Sequence, residues 1–329
     1  MTRWNFAGKT LSITAVAILA ACNAGSQSEL NPPAMVWQAN LERPPIVPQK
    51  KSQALLYISE VFGNAVEVYS FPQLKKVAKL KHLKSPQGLC TDTNGDVWIT
   101  LSGGSSGGSA VEFAHGGTTP IADLADPGYS PVECAVDPTT GNLALANISG
   151  TKQGQPGSVA VYADAQGSPT IYQAPGSMQL VEGCAYDDQG NLYADGSNGG
   201  SFVLAELPQG GTQFNDVPVS SSSGTIHHPN AVRWDGTYVV VDDAEPTQSA
   251  LYQIEVTPSG GQIVDQITLQ DSSQVSGFSI GALGSSDIVV APEPNAATVP
   301  FYNYPAGGNP ISGMTLSGLK GPVGSVISE

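Results

Sequence analysis

Positive charge is the scarcest ingredient of this sequence. Thirteen Lys and Arg face 28 Asp and Glu, a formal net charge of −15, and only 12% of the 329 residues are charged. The shortage deepens along the chain. Up to residue 84 there are ten basic and four acidic side chains; beyond it the basic ones are Lys152, Arg233 and Lys320, against 24 acidic. A polyanion finds little to grip on such a surface, which excludes nucleic acid as a general partner. Helix-forming composition is lacking too: Gly (38) and Pro (25), the two poorest helix residues, are too frequent for a helical bundle. The apolar stretch Leu11 to Ala21 falls far short of the roughly 20 residues that a membrane-crossing helix needs. There is no Gly-Lys-Ser/Thr phosphate cradle, and the four histidines form no helical metal pair. At 40% hydrophobic the chain is nevertheless too apolar to stay disordered. What remains is an acidic, turn-rich, mostly β globular protein.

The N-terminus carries an address. Arg3 and Lys9 precede the apolar stretch, which ends in Leu19-Ala20-Ala21-Cys22. A basic start, a short apolar run and small residues before a cut point are the parts of a secretory signal. Leu-Ala-Ala-Cys resembles the lipobox of bacterial lipoproteins, which implies residues 1–21 as signal peptide and lipidation of Cys22. Asn23 after the cysteine implies sorting to the outer membrane by the rule of enteric bacteria. Residues 22–52, with Pro32, Pro33, Pro44, Pro45 and Pro48 and no sustained periodicity, read as an extended tether.

From residue 53 to 329 one pattern returns six times. It reads Ser85-Pro-Gln-Gly-Leu-Cys-Thr-Asp92, Ser130-Pro-Val-Glu-Cys-Ala-Val-Asp137, Leu180-Val-Glu-Gly-Cys-Ala-Tyr-Asp187 and His228-Pro-Asn-Ala-Val-Arg-Trp-Asp235, with fainter copies ending at Gly281 and Ser328. The register positions 92, 137, 187, 235, 281 and 328 lie 45 to 50 residues apart. That period, with several short strands in each unit, is the signature of propeller blades. Asp-x-x-Gly turns separate first from second strands, as in Asp92 to Asp96 and Asp187 to Asn191. The ends are complementary: Leu55 to Ser59 is a second strand without a first, and Gly321 to Ser328 a first strand without a second. The expectation is all-β: a six-bladed β-propeller of four-stranded antiparallel blades, with no helix. The two chain ends close the ring in one composite blade.

Pro86-Gln-Gly-Leu with Asp-x-x-Gly-Asp-Val-Trp, and Glu182-Gly-Cys-Ala-Tyr with Gly-Asn-Leu-Tyr-Ala-Asp195, resemble NHL-repeat six-bladed propellers. The gluconolactonase and virginiamycin B lyase families share that resemblance. It implies the fold over nearly all of the mature chain and leaves activity open, because such propellers serve enzymes and binding proteins alike.

First strands line the channel of a propeller, so their starts ring one mouth: Gln87, Val132 with Glu133, Glu182, Asn230, Ser276 and Val323. Second strands return to that face with Glu60, Asn147, Asp195, Asp242 and Asp243, and His227 and His228 sit beside Asn230. Such a set offers oxygens for Ca²⁺ and nitrogen for a softer metal. The expected ligand-binding residues are Gln87, Glu133, Glu182, Asp195, His228, Asn230 and Asp242. Resemblance to the gluconolactonases implies Glu182 and Asn230 as metal ligands, with Gln87 at an acceptable position and no Asp completing the ring. The Asp-x-x-Gly turns opposite lack the oxygens of an EF-hand and read as hairpin turns.

Lys75, Lys76, Lys79, Lys81 and Lys84 fall on the outer part of the composite blade. There they discourage pairing with foreign strands, or else meet anionic lipid or a partner. Adjacent residues of a strand face opposite sides. Cys90, one step out of the register shared by Cys134 and Cys184, can therefore face Cys134 between blades two and three if the strands are in phase, and an odd count leaves at least one thiol free.

Two functions fit. The first is a lipid-anchored extracytoplasmic binding or scaffold module, meeting a protein, peptide or glycan. The second is a divalent-metal-dependent hydrolase of the lactonase type. On either reading, Cys22→Ser is expected to release the protein from the membrane pellet with its propeller folded. A mutant that still sediments with membranes refutes lipidation.

Overall fold

A computed structural model of the chain describes residues 53–173, 177–221 and 224–329. The signal segment 1–21, Cys22 and the tether 22–52 lie outside the described residues. Within them the sheets are six, arranged as the blades of a propeller. Blade two holds Pro86–Thr91, Val97–Leu101, Gly107–Phe113 and Pro120–Pro127, innermost strand first. Blade three holds Tyr129–Val136, Leu143–Gly150, Ser158–Tyr162 and Thr170–Gln173. Blade four holds Leu180–Tyr186, Leu192–Asn198, Ser201–Leu207 and Asn215–Val217. Blade five begins with Pro229–Trp234, Val239–Asp243, Ala250–Thr257 and Gly260–Thr268. Blade six holds Ser279–Leu283, Ser286–Val290, Thr298–Tyr304 and Thr315–Ser317.

Blade one is the composite. Pro322–Ser328 is its inner strand and pairs antiparallel with Leu55–Glu60, from Leu55 opposite Ser328 to Glu60 opposite Pro322; Ala65–Ser70 and Lys75–Lys81 follow outward. The ring therefore closes through the chain ends.

Two details depart from the repeat. Blade five carries a fifth strand, Val219–Ser221, which pairs parallel with Gly260–Thr268 at the outer edge. Three residues between two turns gave no periodicity from which to read it. Among the described residues, one 3₁₀ turn, Ala163–Ala165, interrupts the all-β chain, and Asp164 and Ala165 there take positive φ.

The core is divided among the blade interfaces. Six clusters of buried apolar side chains each join two neighbours, such as Tyr57, Val66 and Leu80 of blade one with Leu89, Val97 and Ile99 of blade two. Between blades two and three the packing is covalent: Cys90 and Cys134 form a disulfide, and Cys184 stays buried and free. Constraining 44 residues of the unfolded chain stabilises the fold by about 4 kcal/mol in the chain-entropy view. The Asp-x-x-Gly turns serve local order. Asp92, Asp137, Asp187 and Asp235 each accept backbone N–H groups from residues two to four positions ahead.

The lysines of blade one are partly spoken for. Lys79 bridges Glu60 and Glu67 at 3.0 and 2.6 Å, and Lys76 pairs with Glu67. Glu60 also accepts the Lys320 N–H at 2.8 Å, tying the loop before the last strand to the first one.

Removing residues 321–329 takes away the inner strand of blade one and bares apolar side chains of blades six and two. The expected result is loss of the cooperative melt, followed by far-UV circular dichroism. A truncated chain melting within about two degrees of the intact one would show that closure contributes little.

Candidate functional site

Five inner strands begin with an irregularity. Pairing with the second strand shifts register between Pro86 and Leu89, Pro131 and Glu133, Val181 and Gly183, Pro229 and Val232, and, in blade one, Gly324 and Pro322. Each bulge turns the start of its strand toward the axis. In the six copies the second residue of Pro-x-x or its equivalent is Gln87, Val132, Glu182, Asn230, Ser276 and Val323. These six, with Glu133 and Ile148, line one cavity of about 160 Å³ at the mouth of the channel.

The third residue of each copy approaches the axis most closely. It is Gly88, Gly183, Ala231, Gly277 and Gly324 in five blades and Glu133 in blade three. The glycines are required. A Cβ on Gly88 would lie 2.6 Å from the Glu133 Cα, and one on Gly277 would lie 2.2 Å from the Val323 carbonyl oxygen. Glu133 occupies the space that the small residues leave. Both its oxygens accept hydrogen bonds from Arg233 Nη2 at 3.1 Å, and the guanidinium also donates to the Val232 carbonyl and lies over the Phe278 ring. The pair reaches from blade three to blade five, and Glu133 brings its carboxylate to the cavity wall. Burial pushes the Glu133 carboxyl up, and Arg233 opposes that push.

Behind the bulges lies a layer of fully buried polar residues on the second strands: Ser59, Thr100, Asn147, Asp195 and Asp242. Ser59 and Thr100 donate to the carbonyls of Gln87 and Gly88, and Asp242 Oδ1 accepts the N–H groups of Asn230 and Ala231 at 3.1 and 2.7 Å. Some acceptors have no partner among the described residues: both oxygens of Asp195, Asp242 Oδ2 and Asn147 Oδ1. Burial drives Asp195 and Asp242 well above the usual carboxylate range; repulsion from Glu182 adds to the rise at Asp195, and repulsion from Asp195 to the rise at Asp242. Glu182, in the cavity wall, accepts from Ser197 Oγ at 3.2 Å and is pushed up to about 7, chiefly by burial. Asp126, buried next to Asn147, rises to about 6 for the same reason. Chemically, this mouth favours a cation or protons and disfavours an anion.

The structure thus places Gln87, Glu133, Glu182 and Asn230 on one cavity, with Asp195 and Asp242 in the layer behind its wall. His228 stands at the rim, 58% exposed at its side chain and paired with Asp243 and Glu245. Glu182 and Asn230 share the cavity, but Glu182 belongs to no group of three His, Cys, Asp or Glu ligand atoms within 4.8 Å of one another among the described residues; His228, Asp243 and Glu245 do, as do Asp92, Asp96 and Glu112. Arg233 and Glu245 were missed from the sequence. Arg233 had a signal, being one of three basic residues beyond position 84. Glu245 had only its place two residues after Asp243.

At the other end the channel opens into a hollow of about 270 Å³, walled by apolar side chains such as Leu89, Tyr186 and Trp234 together with Thr91, Arg233, Ser279 and Ser325.

This architecture is that of a six-bladed β-propeller with a polar, acidic mouth. Solved structures agree on the fold. A chain in the nidogen/laminin complex matches 84% of this protein and 98% of its own length with a TM-score of 0.62 at 16% identity. A protein of unknown function from Bacteroides caccae matches 84% and 100% with a TM-score of 0.60 at 13% identity. A functionally unknown protein from Desulfotomaculum acetoxidans gives 0.57 at 12%. The sequence matches no family model and no curated protein.

The raised carboxyls set a pH dependence. A group held protonated in the fold, but ionised in the unfolded chain, contributes stability that is full below its unfolded pKa. That contribution is lost as pH rises through the folded value. For Glu182 the window runs from about 4.3, the unperturbed value, to about 7. Asp195→Asn removes an ionisable group of the same kind and keeps its shape. It is expected to raise the melting temperature at pH 8 and to change it little at pH 4. An equal effect at both pH values would show that Asp195 is not held protonated.

Proposed function

We propose that the protein is an envelope-anchored binding module whose propeller takes a cationic side chain of a peptide or protein partner into the Glu182 mouth. Lipidation at Cys22 with outer-membrane sorting, and kinship to NHL-repeat propellers, belong to this reading and rest on the sequence motifs. The observation that carries it is the convergence of six strand starts on one small acidic cavity, with the unpartnered oxygens of Asp195 and Asp242 behind its wall. A cation entering the mouth relieves repulsion among carboxylates that Arg233 and His228 offset only in part. The size of the cavity, a few water volumes, suits one side chain rather than a whole small molecule. Protein contacts would then spread over the surrounding loops.

The rival reading is a divalent-metal lactonase. It is favoured by Glu182, whose pKa of about 7 suits a general base. The purified full-length protein separates the two. Pentalysine is expected to bind more tightly than its fully acetylated form. Glu182→Gln with Asp195→Asn should weaken that binding at least about tenfold, whereas Glu112→Gln, at the opposite face, should not. Equal weakening by both variants would mean general attraction to an acidic surface and would refute the mouth. Hydrolysis of an aldonolactone that grows with added divalent ion and falls in Glu182→Gln would overturn the binding module in favour of the lactonase.

A further inference from the structure

We infer that His228, Asp243 and Glu245 form a Zn²⁺-type transition-metal site on the rim of the mouth, separate from the Glu182 cavity. The three come from the two ends of one strand pair. Pro229 opposes Asp243 in blade five, so His228 and Glu245 extend from adjacent strand ends. The Ala244 N–H donates to the His228 carbonyl at 2.9 Å, the Glu245 N–H to the Asp243 carbonyl at 2.8 Å, and the Gln274 N–H to the Glu245 carbonyl at 3.0 Å. The backbone carrying the three side chains is therefore fixed on both sides.

The side chains meet at ligand spacing. His228 Nδ1 lies 3.4 Å from Glu245 Oε1 and 3.9 Å from Asp243 Oδ1, and one ligand atom from each of the three falls within 4.8 Å of the others. Tetrahedral zinc, with bonds of about 2.0–2.2 Å, holds its ligands about 3.3–3.5 Å apart, so the set closes on an ion with small side-chain rotations. Asp243 supplies the second observation. It is 2% exposed, and its Oδ1, the oxygen nearest His228 Nδ1, is held by the N–H groups of His227 and His228 at 3.2 and 2.7 Å. A buried carboxylate fixed by backbone donors and set beside an imidazole and a second carboxylate is a ligand whose orienting shell is in place.

The donor set selects the ion. One imidazole nitrogen and two carboxylate oxygens suit Zn²⁺ or Co²⁺, whereas Ca²⁺ requires six to eight oxygens. Two carboxylates balance a divalent charge, and three protein ligands leave a position open to water or to a partner's side chain.

The test uses Co²⁺ with the full-length protein and its visible absorption, which intensifies on leaving the hexa-aqua state for low-coordinate binding. One equivalent of Co²⁺ is expected to bind and to be displaced by Zn²⁺ but not by Ca²⁺. His228→Ala and Glu245→Gln are each expected to weaken binding at least about tenfold, and Glu182→Gln to leave it unchanged. The last arm separates this site from the mouth proposed above. His228 and Glu245 lie outside the apolar core, so the metal-free melting temperature should stay the same and show that the variants fold. Unaltered binding in His228→Ala, loss of binding in Glu182→Gln, displacement by Ca²⁺, or no spectral change at millimolar Co²⁺ would each overturn the assignment.

Discussion

The ion pair of Glu133 with Arg233 is the constraint around which the channel is arranged. Five blades place Gly or Ala at their closest approach to the axis, and blade three places a carboxylate there. A lone buried carboxylate would be expensive, and the guanidinium that offsets it comes from the only arginine among the described residues. Breaking such a pair typically costs about 3–5 kcal/mol, because the remaining charge stays buried and unpaired. Its geometric consequence matters as much. The pair sits between the two ends, with Glu133 lining the mouth and Arg233 the opposite hollow, so the channel is divided in two.

The same scarcity of cations explains the state of the other carboxylates. Glu60 and Glu67 at the outer blade are met by Lys76 and Lys79. Near the axis, burial and repulsion among Glu182, Asp195 and Asp242 outweigh the pull of Arg233 on the two aspartates and of His228 on Glu182. A mouth built this way is poised by what it lacks. Its free energy falls when protons or a cation arrive, and the bulges that expose Glu182 and Asn230 give access to the wall.

Much of the fold was legible because it repeats. Asp92, Asp137, Asp187 and Asp235 mark four of the six blades through a local requirement, the capping of a tight turn, and local requirements leave their trace in sequence. The incomplete ends at Leu55 and Ser328 announced the composite blade for the same reason. The mouth residues followed from their place in the repeat. Register shifts at Pro131 and Val181 were not readable, since a bulge depends on which residue the neighbouring strand offers. Nor was the bond from Arg233 to Glu133, which joins positions 100 apart. Lys76 and Lys79 show the limit from another side. Their charges were plain, but the carboxylates that partly neutralise them sit on other strands.

The asymmetry between blades three to five and the rest bears on recognition. Asn147, Asp195 and Asp242 occupy a layer where blades one and two have Ser59 and Thr100, and blade six has the buried Ala291 at the end of its second strand. The hydroxyls are satisfied by donating to carbonyls of neighbouring bulges, so that half of the ring is closed in on itself. The amide and carboxylates retain free acceptors. His228, Asp243 and Glu245 stand on the same side, on blade five. A ring with six similar blades therefore has one half that keeps free acceptors, and on the proposed binding role a partner that inserts a cationic group would be held in one rotational orientation about the axis. Sixfold architecture supplies the cavity, and the departures from sixfold sequence supply its direction.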